Sequence, residues 1–336
     1  MTIKDISALT GYSVGTVSRV LNTQPNVSEK ARSAILAAAE ASGVQLNTNA
    51  KQLKQQRTNS ILVVVKGTSN ELFGSLLEAL QARTANWPYS LVVDYLDEDA
   101  NEALRGMQLC IEKKPLGILF LGGNLQSLRE NFTKTDIPCV LVTGNASGLS
   151  MKNLSSVSTD DCQVGYSAIE HLVQLRHKKI AIIGGSLERS EISALRFQGS
   201  MDAMKHHGIV FNPEKDYYAG RFSYADGYEA VKTLLNRNRE FTAIFAMADV
   251  MAIGAIRALR DNGLRVPEDV SVMGVDGLAI GDYTVPKLTS CRQSVQILAD
   301  RSVVLLRRQI EGTAEASHET IPPVIEWKES TARRKD

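Results

Sequence analysis

Cysteine is scarce and scattered in this chain of 336 residues. Cys110, Cys139, Cys162 and Cys291 form no CxxC pair, which excludes the common zinc-ribbon and dithiol motifs and leaves reduced, buried thiols. Long hydrophobic runs are missing too, and none approaches the ~20 residues of a membrane span. The start, MTIKDIS, has no basic stretch leading into an apolar one, so a cytoplasmic protein without a secretory signal is expected. Nucleotide and catalytic fingerprints are equally absent. Gly184-Gly185-Ser186 follows an apolar run, but neither GxGxxG nor GxxxxGK[ST] occurs. His171, His177, His206, His207 and His318 show no HExxH spacing, and there is no GxSxG elbow. No enzyme, metal or cofactor is therefore expected. The tail EWKESTARRKD lacks leucine heptads, so nothing points to a tetramerising coiled coil.

What is present is ordinary in composition and uneven in charge. Hydrophobic residues make up 43% and charged residues 22%, values usual for a globular protein. The length suits two or three folding units. The net charge of +1 hides an asymmetry. Up to Arg57 there are seven bases against three acids, a net +4 that leaves −3 for the rest. A cationic arm on an acidic body suits contact with phosphates, where counterion release drives affinity.

The first stretch, TIKDISALTGYSVGTVSRVL, reads as two short helices joined by a tight turn. Thr2 and Asp5 form a capping-box pattern, Ile6 and Leu9 share a face, and Gly11 suits a left-handed end. Ser13 can cap a second helix whose Val17, Val20 and Leu21 point inward. Val14, Gly15, Thr16, Ser18 and Arg19 then face outward. A helix-turn-helix sets such residues against base edges in the major groove. Asn26-Val27-Ser28-Glu29 starts a third helix, with Ala31, Ile35, Ala38 and Ala39 as its buried stripe.

The wording TIKDI…SVGTVSRVLN…NVSEKAR…I resembles the DNA-binding headpiece of the LacI/GalR repressor family. The resemblance runs on through SNELF, VSTDD, ALRFQG, AIFAMADVMAIGAIRAL, VPEDVSVMGVDG and PKLTS, and so covers nearly the whole chain. It implies a headpiece over 1–46, a hinge helix and linker over 47–59, and an effector-binding, dimerising body over 60–336. The implied DNA contacts are Thr2, Ser13, Val14, Gly15, Thr16, Ser18, Arg19, Asn22, Asn26 and Ser28 in the headpiece. Leu53 and Lys54 join them from the hinge, where the leucine would wedge into the minor groove at the operator centre. Two features depart from the family's wording: Gly15 stands where a base-reading side chain is common, and Leu46 where proline often precedes Asn47. The partners so implied are a near-palindromic operator, a small-molecule effector and a second copy of the chain.

From Ser60 onward, short apolar runs alternate with helical stretches. Strands are expected over 61–65, 91–93, 118–121, 140–142, 180–183, 243–247 and 270–275, with helices over 72–84, 102–112, 164–174 and 252–259. Continuous β-branched runs separated by helices indicate parallel sheets covered on both faces. Seven strands are too many for one comfortable sheet. The fold class is therefore α/β: a three-helix headpiece plus two Rossmann-like lobes of periplasmic-binding-protein type. By the resemblance, the chain crosses between lobes near Thr159, Ser290 and Pro323.

Ligands of open α/β sheets lie beyond the carboxyl ends of the strands. That rule selects 66–73, 122–124, 143–145, 184–190, 248–249 and 276–277. Within these segments and nearby, the resemblance implies effector contacts from Phe73, Arg196, Phe222, Asp249 and Asp276. Aromatic faces with a few charged groups suit a sugar or nucleoside. Ala248, Thr143 and Gly277 stand where many members carry amide or acid groups, and Lys66-Gly67 ends the first strand with a cation. An acidic or phosphorylated effector stays open beside a sugar. The expected function is an effector-controlled repressor, most simply of carbohydrate-metabolism genes.

Overall fold

The structure, a computed structural model, describes residues 3–21, 27–41, 58–67, 70–132, 135–237 and 240–334. The chain divides into two compact units, Met1–Gln56 and Arg57–Asp336.

The smaller unit holds α1 (Ile3–Thr10), α2 (Val14–Leu21) and α3 (Glu29–Ala41). Gly11 has φ +69°, and its N–H reaches Ser7 O at 3.0 Å, which ends α1 at no steric cost. Ser13 Oγ accepts from Thr16 N at 3.2 Å and Ser28 Oγ from Ala31 N at 3.3 Å. Both serines thus satisfy open N–H groups at helix starts. Ile6, Val17, Val20, Leu21, Ile35 and Ala39 form the buried core. Leu9 corrects the periodic reading: it is 64% exposed, because a one-turn step from Ile6 already leaves the narrow stripe that two short neighbours can cover.

In the larger unit, the strands are β1 (Ser60–Lys66), β2 (Ser90–Leu96), β3 (Gly117–Leu121), β4 (Cys139–Val142) and β5 (Leu154–Thr159). Next come β6 (Ile180–Gly184), β7 (Tyr217–Ala219), β8 (Ala243–Ala246), β9 (Ser271–Asp276) and β10 (Thr289–Arg292). The last two are β11 (His318–Ile321) and β12 (Val324–Glu326). One sheet has the order β11-β5-β4-β3-β1-β2 and is parallel throughout. The other has the order β12-β10-β9-β8-β6-β7, with β12 alone antiparallel. The chain moves between sheets after β5, after β10 and after β11.

The helices between strands are α4 (Glu71–Thr84), α5 (Glu102–Lys113), α6 (Leu125–Asn131), α7 (Asp161–Gln174) and α8 (Glu191–His206). A short α9 (Pro213–Asp216), then α10 (Tyr224–Arg237), α11 (Asp249–Asp261) and α12 (Val295–Ile310) complete the set. Asn70, Asn101, Asn124, Asp160 and Ser190 cap five of them through their side chains. Each of these caps lies at the carboxyl end of a strand or just past it, so five helices begin near the same edges.

Five strands, β5, β7, β10, β11 and β12, escape the periodic reading, and two of them show why. β5, LSSVST, is fully buried yet rich in hydroxyls. Ser155 Oγ accepts from Ser317 N at 3.0 Å, and Ser156 Oγ accepts from Ala146 N at 3.0 Å. Burial of polar groups is tolerated where they are hydrogen-bonded; of the hydroxyls in β5, that of Ser158 finds no partner among the described residues. β7 is only three residues long, too short for any period to register.

Candidate functional site

A cavity of about 540 Å³ opens where the carboxyl ends of both sheets face each other. Its polar floor is built from strand ends. Asp276 closes β9 with φ +120°; one carboxylate oxygen accepts from Gln293 Nε2 at 2.7 Å, and the other has no partner among the described residues. Gln293, just past β10, also accepts from Thr159 Oγ1 at 2.9 Å, which ties the floor to β5 in the first sheet. Burial pushes the Asp276 carboxyl up to about 6, with the Arg196 guanidinium opposing. Thr143, just past β4, has φ +76°, and its buried hydroxyl lacks a partner among the described residues. Two orphaned polar groups in strained backbone therefore line one cavity. Such groups cost about 1–3 kcal/mol each when left unmatched.

Arg196 projects from the second turn of α8 and is 4% exposed. Its Nε donates to Asp161 Oδ1 at 2.8 Å, and Nη1 donates to Met247 O. Burial raises the Asp161 carboxyl, and the facing guanidinium lowers it. Asp161 carries no strand-end signature beyond following β5, and sequence reasoning missed it.

Phe73 and Phe222 both line the cavity. Gly122 has φ +74°, and a Cβ there would stand 2.9 Å from the Phe73 ring, so the ring's seat depends on that glycine. Asp249 is corrected by the structure. It is 1% exposed and does not line the cavity. Leu278 N donates to one of its oxygens at 2.7 Å and Ser290 Oγ to the other at 2.6 Å. Nor does it cap α11, whose N-cap is Ala248 with no side-chain bond. Burial and the neighbouring Asp276 raise its carboxyl well above the usual range.

The cation at the end of β1 is already neutralised. Lys66 Nζ lies 2.6 Å from Glu102, a wholly buried carboxylate whose other oxygen accepts from Asn124 N at 2.7 Å. At the rim, Arg221 pairs with Asp97 at 3.1 Å and with Asp99. Asn124 Nδ2 donates to Arg189 O at 3.2 Å, and Tyr224 OH donates to Glu71. These bonds join the two lobes across the mouth. Burial raises the carboxyls of Glu98 and Glu191. Among the described residues the lining holds six acids (Asp97, Glu98, Asp99, Glu191, Asp226, Asp276) and four bases (Lys66, Arg189, Arg196, Arg221). Such a wall disfavours an anion. The 97–99 lining and, apart from Phe222, the 219–226 lining were missed because β2 runs on to Leu96 and β7 was not anticipated.

In the smaller unit, Ser13 just before α2 and Val14, Gly15 and Arg19 on it are exposed, and Thr16 and Ser18 are partly so. Ser28 is exposed at the start of α3. Thr2, Asn22, Asn26, Leu53 and Lys54 lie outside the described residues.

A helix-turn-helix unit carried on one chain with a two-lobed ligand cleft defines a ligand-responsive DNA-binding regulator. Residues 2–45 match the model of bacterial regulatory proteins of the lacI family, and residues 169–331 match that of a periplasmic binding protein-like domain. The HTH-type transcriptional regulator MalR of Clostridium butyricum is 33% identical over 321 residues, covering 95% of each chain. Among solved structures, the transcriptional regulator CelR–cellobiose complex aligns with TM-score 0.72 and 26% identity, over 98% of this chain and 99% of that one. The lac repressor dimer bound to operator and the anti-inducer ONPF aligns with TM-score 0.73 and 25% identity, over 99% of both. The chain belongs to the LacI family of bacterial regulatory proteins and is a transcriptional regulator.

Proposed function

We propose that this regulator is a cytoplasmic, homodimeric repressor of carbohydrate-metabolism genes whose effector is a neutral sugar or sugar derivative. The observation that carries this reading is the pair of orphaned polar groups, Thr143 Oγ1 and Asp276 Oδ2, in a cavity with more acids than bases. A hydroxyl-rich neutral ligand supplies donors to the carboxylate without adding negative charge. A phosphorylated ligand would meet paired cations and an acidic rim. The cellobiose bound to CelR is a ligand of this chemical kind. Phe73 and Phe222 would hold the apolar face of the sugar, while Arg196 and Asp276 address its hydroxyls.

The proposed division is a headpiece over 1–46, a hinge over 47–59 and a body over 60–336, with crossings near 159, 290 and 323. Val14 would meet a thymine methyl and Arg19 a guanine edge. Ser13, Thr16, Ser18 and Ser28 would hold phosphates, with Thr2, Asn22 and Asn26 beside them. Leu53 and Lys54 would act at the operator centre. The chain has no catalytic role in this reading.

The test pairs two measurements on the full-length protein. A thermal-shift screen compares neutral mono- and disaccharides with sugar phosphates and nucleosides, since a ligand of the native state raises its melting temperature. Selection from random DNA then compares the wild type with Arg19→Ala. A shift with a neutral sugar is expected, and so is relaxed preference at one base position per half-site, costing about 1–3 kcal/mol. A response confined to phosphorylated ligands overturns the effector assignment. An unchanged consensus moves Arg19 to backbone contact.

A further inference from the structure

Far from the cleft, two helices end side by side. Gly165 of α7 and Gly199 of α8 form their crossing: a Cβ on Gly165 would lie 1.9 Å from Arg196 O, and one on Gly199 would lie 1.9 Å from Cys162 O. Backbones this close leave little freedom to slide. The contact therefore fixes what stands beyond it at the C-terminal ends, where Glu170 of α7 faces His206, the last residue of α8, and His207, its C-cap. Each of the three offers a ligand atom, and these atoms all lie within 4.8 Å of one another. His207 Nε2 is 2.6 Å from Glu170 Oε2. The Tyr166 hydroxyl, 2.7 Å from His206 Nδ1, orients that ring. The two imidazoles stack with centroids 4.8 Å apart. Gln174 Nε2 donates to the other oxygen of Glu170 at 3.3 Å.

We propose that Glu170, His206 and His207 form a surface site for a divalent transition metal of the zinc or nickel class. Two imidazoles and one carboxylate are the donor set such ions take, with water completing the sphere. Ligands about 2.1 Å from a tetrahedral ion stand roughly 3.4 Å apart, which small side-chain rotations reach from the present spacing. Both helices also present their C-termini here, and the partial negative charge of those ends favours a cation. Tyr166 and Gln174 supply the outer hydrogen bonds that orient metal ligands. Binding would staple α7 to α8, the helix pair whose other end carries Asp161 and Arg196 at the cleft.

The test uses tag-free, full-length protein stripped with EDTA and titrated calorimetrically with ZnCl2, and separately with CoCl2 followed by visible absorption. One equivalent is expected, with a rise in melting temperature and cobalt bands of a nitrogen–oxygen site. His206→Ala combined with His207→Ala, and independently Glu170→Gln, should each weaken binding about tenfold or more. Melting curves in EDTA that match the wild type would show that these variants fold. If one variant melts early in EDTA, the other carries the comparison. A wild type that takes up no zinc, or binding that survives both variants, overturns the site.

Discussion

Arg196 shows how one side chain is claimed by two tasks. It borders the cavity, yet its guanidinium is already paired with a buried carboxylate, Asp161. Removing one member of a buried pair strands the other, at a cost of about 3–5 kcal/mol. Arg196→Ala is therefore expected to lose that much stability in urea unfolding as well as effector response. A variant of native stability that still fails to respond would make the pair structurally idle. Asp276 is the opposite case. Burial pushes its carboxyl up to about 6 and leaves one oxygen unmatched among the described residues, a strain that binding can relieve. Asp276→Asn is expected to raise stability by about 1 kcal/mol, as replacements at strained sites do, while effector affinity falls. Calorimetry and thermal melts on the same samples check both signs. In the wild type, effector affinity should also weaken as pH falls through about 6, where Asp276 takes up a proton.

At the scale of elements, glycine separates two kinds of helix. Gly165 and Gly199 let α7 and α8 touch backbone to backbone, and Gly227 and Gly254 do the same for α10 and α11, where a Cβ would come within 2.2 Å and 2.1 Å of backbone oxygens. Gly15 on α2 has no such role, since a Cβ there meets only Ser13 Oγ at 3.8 Å. Two substitutions of identical chemistry should thus act in opposite directions. Gly199→Ala should destabilise the body by about 1–3 kcal/mol through overpacking. Gly15→Ala should stabilise the headpiece by up to about 1 kcal/mol through helix propensity. Equal effects in denaturant melts would contradict the close crossing. The single sequence contains no signal that separates these glycines, because the difference lies in what a second helix brings opposite.

At the scale of the whole molecule, the C-terminal segment straps the second sheet. Ser330 Oγ donates to Val272 O at 2.6 Å and accepts from Thr289 N at 2.8 Å, and His177 Nε2 is 3.1 Å from Ala332 O. His171 lies beneath the strap, 3.1 Å from Thr331 Oγ1 and 4.2 Å from the Trp327 ring centre. Burial lowers its pKa to about 4 and lowers that of His177 as well. Between about 4 and the unfolded value of 6.5, the unfolded chain binds the extra proton, so stability rises with pH in that window. His171 thus contributes above 6.5 and loses about 3 kcal/mol as pH falls to 4. The raised carboxyls of Asp161, Asp249 and Asp276 act in the opposite sense at acid pH, so the measurement is a difference. The stability of wild type minus that of His171→Gln should shrink as pH drops from 7 to 4.5 in urea titrations. A constant difference would mean that the strap does not sense the imidazole.

Local pattern alone determined the alternation of strand and helix, the three-helix headpiece with its Ser13 turn, and the strand ends around which the cleft is built. Those features depend on periodicity and capping within a few residues, and both are written along the chain. Which charges meet was decided only in three dimensions. Lys66 finds Glu102, Arg196 finds Asp161, and Asp249 turns to Leu278 N and Ser290, over separations of 29 to 41 residues. The metal-ligand triad depends likewise on a helix crossing set by two glycines. A charged side chain has many partners of the right sign, and only strand order and helix contact select one of them.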